Sequence, residues 1–122
     1  MNCWKEGFET VKEDDLLKLI NEEIAKIDEV RLYYELKVRR LHYLSKPHQK
    51  RYLKVVIALA KLKLPITANM IQAVLGQEIP TILYPLHNLG DKHLLVLKRQ
   101  DGKSFEWIPS DLLSKIINVL EA

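Results

Sequence analysis

The sequence predicts a mainly α fold with a small β-hairpin, in the order helix, tight turn, helix, hairpin. Three observations carry this. Ile66-Thr-Ala-Asn-Met-Ile-Gln-Ala-Val-Leu-Gly76 has the periodicity of a short helix and ends on a glycine, the residue suited to a left-handed cap. Thr81-Ile-Leu-Tyr-Pro-Leu-His-Asn-Leu89 predicts a second helix a few residues later. Then Leu94 to Ile108 contains two β-prone runs joined by Asp101-Gly102, a strong short-range hairpin signal. A long helix is expected before this unit and another after it.

The 122 residues amount to one domain, long enough to bury a core without disulfides or metal. Cys3 is the only cysteine, so no internal disulfide framework or multi-cysteine zinc site exists, and a reducing, cytoplasmic setting is expected. No apolar run approaches the roughly 20 residues of a membrane span, and the first residues lack the apolar segment of a signal peptide. No membrane association is expected. The net charge of +3 conceals an uneven layout. Residues 1–30 hold four lysines against nine acids (−5), residues 31–63 ten Lys or Arg against Glu35 alone (+9), and residues 64–122 five bases against six acids (−1). A central basic block of this kind is either a phosphate-contacting surface or a solvated helix face.

Along the chain, Thr10-Val-Lys-Glu13 fits a capping box that would start the first helix, with Glu13, Asp14 and Asp15 in its first turn. No Pro or Gly interrupts from there to Leu44, so one helix of about 30 residues is the simplest expectation, with a break near Asp28-Glu29 as the alternative. Ile20, Ile24, Ile27, Arg31, Tyr34, Val38 and Leu41 follow a heptad spacing, a seam interrupted by one arginine. Such a seam packs either on a second copy or back over its own domain, and Leu16, Leu17, Leu36 and Leu44 widen the stripe toward the latter. The length favours a homodimer arm, with Ile20, Ile24, Ile27, Tyr34, Val38 and Leu41 at the interface. Residues 1–45 are thus expected to form an N-terminal helical extension and residues 46–122 a domain with a C-terminal helix.

Ser45-Lys-Pro47 should stop the long helix. His48 to Lys63 predicts the next, with Leu53, Val56, Ile57, Ala60 and Leu64 on one stripe. Leu64-Pro65-Ile66 should turn the chain, and Thr67 should cap a helix that buries Ile71, Val74 and Leu75 and ends at Gly76. After the hairpin, Ser110 or Asp111 should cap a last helix, whose face of Leu112, Leu113, Ile116, Ile117 and Leu120 requires burial. A two-residue turn at Asp101-Gly102 would set Val96 opposite Trp107 and Lys98 opposite Phe105, with Trp107 as a core anchor.

Residues 48–108 resemble the winged helix-turn-helix domains of prokaryotic transcriptional regulators, especially small MarR-like and other archaeal types. The likeness is carried by Ile66-Thr-Ala-x-x-Ile-x-x-x-Leu-Gly76, Thr81-Ile-x-x-x-Leu86-x-x-Leu89 and Leu94-Leu95 entering the wing. It implies a second helix lying in the DNA major groove and a hairpin tip along the backbone or minor groove. Two features depart from that pattern. The outward positions Thr81, Tyr84, Pro85, His87, Asn88 and Asp91 contain no arginine, and Pro85 falls where the helix should be regular, which favours a late start with Thr81 as cap. On this reading Thr81, Tyr84, His87 and Asn88 face the bases. Lys92, Lys98, Arg99 and Lys103, together with Lys46, Lys50 and Arg51, contact phosphates, and two copies address half-sites about one helical turn apart. A second likeness, in Leu32-Tyr-Tyr-Glu-Leu-Lys-Val-Arg-Arg-Leu41, is to the helical segment of GINS-type replication scaffold subunits. It implies an adaptor that binds a protein partner, through Thr81, Ile82, Tyr84 and Pro85.

Nothing in the sequence has the form of catalytic machinery: it contains no Gly-rich phosphate loop, no Gly-x-Ser-x-Gly elbow and no His-Glu-x-x-His. His42 with His48, and His87 with His93, lack ligand spacing and a nearby cysteine, so neither a metal nor a cofactor is expected.

Overall fold

The computed structural model describes residues 3–101 and 104–121. In chain order the elements are helix α1 (Cys3–Lys26), helix α2 (Glu29–Val38), a 3-10 turn (His42–Ser45) and helix α3 (Pro47–Lys61). Then follow strand β1 (Ile66–Thr67), helices α4 (Ala68–Leu75) and α5 (Ile79–Asp91), strands β2 (Leu95–Asp101) and β3 (Ser104–Pro109), and helix α6 (Asp111–Glu121). The fold is mainly α with one small antiparallel sheet, ordered β1-β3-β2.

Helix α3 is the hub. Tyr52, Leu53, Val55, Val56, Ile57, Ala58 and Leu59 are all buried, so it is covered on nearly every side rather than along the single stripe expected. Helices α1, α4, α5 and α6 and the 3-10 turn all touch it, while α2 lies across the 3-10 turn and α6. One hydrophobic cluster runs from Ile20, Leu32, Leu36 and Leu44 through α3 to Trp107 and Leu113, so residues on both sides of position 45 share a core.

The expected single N-terminal helix is two. Asp28 caps α2, its carboxylate accepting from the Val30 and Arg31 N–H groups at 3.1 Å each, which stabilises a new helix start in place of a continuous ladder. Helix α1 in turn begins at Cys3, upstream of Thr10, so Thr10 stands inside the helix and not at its cap. The break divides the heptad seam. Ile20 and Ile27 are buried in the chain's own core, and Ile24 and Leu41 pack against it, so these four face inward and not toward a second copy. Tyr34 and Val38 remain exposed.

Helix α2 also ends earlier than Ser45, and the way it ends recurs. The Leu41 N–H reaches back to the Leu36 carbonyl at 2.7 Å, with Arg40 between them in the left-handed region at φ 61°. Likewise Leu64 donates to Leu59 at 2.9 Å past Lys63 at φ 59°, and Leu94 to Leu89 at 3.0 Å past His93 at φ 66°. All three are Schellman closures in which a leucine at each end of the bond supplies the accompanying apolar contact. At two of the three the left-handed residue is Arg40 or Lys63, whose charge is favoured beside a helix C-terminus. Helix α4 closes on glycine, Gly76 at φ 72°.

Other local expectations hold. The Thr67 hydroxyl caps α4 by accepting from the Met70 N–H at 3.2 Å, and Ser110 caps α6 by accepting from Leu113 N–H at 3.2 Å. Ile71 is buried on α4, with Val74 and Leu75 packed beside it. Ile66, expected in a turn, instead forms β1 with Thr67 and pairs Ile66 with Trp107 and Thr67 with Glu106. The hairpin register also differs. Asp101 pairs with Ser104, and the two residues between them lie outside the described residues. A bulge at Lys98 then sets Leu97 opposite Trp107 and Val96 opposite Ile108. The displacement begins beside the turn, where Asp101 is part of the ladder and Gln100, not Lys98, stands opposite Phe105; the extra residue at Lys98 then returns Val96 by one position toward its expected partner.

Candidate nucleic-acid interface

Helix α5 starts at Ile79 with Pro80 in its first turn, where a missing N–H costs nothing, and Glu78 in the cap position. Thr81 therefore lies within the helix and does not cap it, its N–H bonding to the Glu78 carbonyl at 3.0 Å. Pro85 is accommodated inside the helix on its buried side, together with Ile82, Leu86 and Leu89. That corrects the expected protein-binding face, because Ile82 and Pro85 belong to the core. It leaves Thr81, Tyr84 and His87 as an outward row at one-turn spacing, with Tyr84 73% exposed.

The sheet holds this row in place from behind. The His87 ring stands edge-on to both Phe105 and Trp107, at 5.1 Å between centroids in each case. Trp107 is buried, as expected of an anchor, and its indole N–H has no hydrogen-bond partner among the described residues. The approach of α5 to it is as close as glycine allows: a Cβ on Gly90 would lie 2.8 Å from Trp107 Cζ3. Asn88 is turned away from solvent, its amide donating to the carbonyl of buried Gln49 at 3.4 Å, so it is a packing contact rather than an outward reader.

The cations expected on phosphate divide into engaged and outward groups. Lys50 and Lys54 both donate to Glu29, at 2.7 Å each, which fastens α2 to α3. These two hydrogen bonds, Lys50 first, pull the Glu29 carboxyl from its ordinary 4.5 down to about 2. Lys61 meets Glu23 at 2.9 Å and Glu121 at 3.7 Å, and Lys61 is the main cause of the lowered Glu23 pKa. Lys98 is paired with Glu106 at 3.3 Å. Gln77 bridges Arg51 and Tyr52: with its carbonyl toward Arg51 it accepts from the guanidinium at 2.6 and 3.1 Å, and its amide donates to the Tyr52 hydroxyl. Lys92 lies over the Tyr43 ring, 5.5 Å from its centroid, bringing the end of α5 to the 3-10 turn. Lys46, Arg40 and His42 are exposed around that turn. The Arg99 side chain and Lys103 lie outside the described residues.

Sequence reading missed the Glu29 clamp. A signal for the clamp was present: an acidic block followed by a basic one of opposite sign is what intramolecular pairing across two packed segments requires. Glu23 and Glu29 come from the first block, and Lys61, Lys50 and Lys54 from the second.

Among the described residues no three His, Cys, Asp or Glu side chains gather as a metal-holding group, and no helix is long and apolar enough to cross a membrane. No protein-family model, curated protein or solved structure matches the chain.

Proposed function

We propose that the chain is a winged-helix protein that binds duplex DNA, with α5 lying in the major groove and the β2–β3 hairpin beside it. The observation that carries this reading is an order of elements: α3, β1, α4, α5, β2, β3, closed by the sheet order β1-β3-β2 with α5 packed on its front and its outward row left bare. Thr81, Tyr84 and His87 supply hydrogen-bonding groups at that row, while Lys46, Arg51 and Lys92 supply phosphate contacts. Lys50 and Lys98 are not assigned to DNA, since each already has a carboxylate partner.

Three phosphate contacts predict a salt dependence of about 40-fold between 50 and 200 mM, shallower than the full basic block would give. Electrophoretic shift of generic duplex DNA at the two salt concentrations tests this. Lys46→Glu with Lys92→Glu should abolish the shift at the higher salt, and Tyr84→Ala should weaken it while leaving the salt slope unchanged. No shift at low salt, or a shift indifferent to these substitutions, overturns the reading. One observation favours a second reading, an adaptor in a larger assembly: an apolar row on α2 that the described residues leave exposed.

A further inference from the structure

Helix α2 is apolar on two opposite faces. Leu32 and Leu36 are completely buried against the 3-10 turn and the core. Val30, Tyr34 and Val38 are 66, 57 and 77% exposed. Residues two apart on a helix differ by about 200° in direction, so the second row looks away from the core that the first row occupies. One row suffices to seat ten residues on the domain. Three large apolar groups in a line on the other side form the contiguous patch that marks an interaction surface.

The charges around the row have one net sign. Arg31, Lys37, Arg39, Arg40, Lys50 and Lys54 stand against Asp28, Glu29 and Glu35, six cations to three carboxylates. All three carboxylates are engaged: Asp28 caps the helix, Glu29 holds Lys50 and Lys54, and Glu35 accepts from Arg39 at 2.6 Å. Lys37 and Arg40 are exposed beside Val38. Tyr34 is braced edge-on by Tyr33 at 5.5 Å, and a groove lined by Glu29, Val30, Tyr33, Tyr34, Ser45 and Lys50 lies beside the first two members of the row.

We propose that this face of α2 docks an acidic amphipathic helix of another protein. Its apolar side, at heptad spacing, covers Val30, Tyr34 and Val38, and its carboxylates meet Lys37 and Arg40. The valines offer nothing to phosphate or base edges, which favours protein over nucleic acid. A second copy of this chain would bring two net-positive faces together, which favours a partner of opposite charge. The inference does not rest on DNA binding, because α2 is neither α5 nor the hairpin.

The test is fluorescence anisotropy on the full chain with a labelled synthetic helix of about 20 residues, leucines at heptad spacing and glutamates on the flanks, beside a twin with lysines for glutamates. The acidic peptide should bind saturably and the lysine twin at least about tenfold more weakly. Val38→Asp, and Lys37→Glu with Arg40→Glu, should each weaken the acidic peptide by about tenfold or more, with an unchanged thermal melt. Equal binding of both peptides, or binding indifferent to Val38→Asp, overturns the proposal. So does a light-scattering mass that halves on Val38→Asp, which would make a second copy the occupant, or loss of duplex DNA binding with Lys37→Glu and Arg40→Glu, which would make it nucleic acid.

Discussion

The segments before and after Asp28 carry the two halves of one heptad pattern and put most of it to opposite use. Ile20 and Ile27 are sealed in the core, whereas Tyr34 and Val38, at the same period, face solvent. The difference arises at Asp28, whose carboxylate starts a new helix in a new direction and brings Leu32 and Leu36 inward instead. A period specifies which residues share a face of a helix. It does not specify what that face meets, and a single capping residue is enough to exchange the two.

The comparison can be broken most severely by placing a charge on each half. Ile20→Asp buries a carboxylate without a partner and should cost about 4 kcal/mol or more, while Val38→Asp should change stability by less than about 0.5 kcal/mol. Urea unfolding midpoints of the two variants measure the contrast, and similar midpoints would show that the halves are equivalent after all. Next in size is the hinge. Asp28→Ala removes the acceptor for two N–H groups and should cost about 1 kcal/mol, with faster amide exchange at Val30 and Arg31 and little change in α1.

The smallest expected effect sharpens the comparison by acidity. Glu29 has its pKa lowered on folding, so its clamp contributes stability above the ordinary carboxyl value of about 4.5, and that contribution fades as pH falls toward about 2. The sign follows from the unfolded chain binding the proton more tightly. Glu29 is nearly half exposed, so solvent screens the pair and the effect is modest. Glu29→Gln should lower the melting temperature near pH 6 and leave it almost unchanged near pH 2, relative to the unsubstituted protein. An equal difference at both pH values would mean that the pairing with Lys50 and Lys54 does not hold α2 in place.

Much of the fold was legible because its signals are local. Thr67, Gly76 and Ser110 mark helix ends by chemistry that acts within three or four residues, and the helix-helix-hairpin order of residues 66–109 follows from such marks. The closures at Arg40, Lys63 and His93 were illegible by the usual rule, since a residue with a Cβ resists the left-handed region. Their signal was the leucine five residues after another leucine, which has meaning only once both are buried. The site was less legible than the fold. Thr81, Tyr84 and His87 do form an outward row, yet Asn88 turns inward and Lys50 and Lys98 are paired, because side-chain partners come from segments distant in sequence.

By itself, then, the sequence determined the order of α3, α4, α5, the hairpin and α6, which apolar residues recur, and that opposite charges lie in successive blocks. These depend on nearest neighbours along the chain. Only the tertiary structure decided that Glu23 and Glu29 of the acidic block hold Lys61, Lys50 and Lys54 of the basic one, that β1 joins the sheet, that Lys98 bulges, and that Ile20 and Ile27 of the seam are core while Tyr34 and Val38 are surface. Each of these turns on which two segments meet. That is settled by burying the most apolar area around α3, a sum over the whole chain that no local window contains.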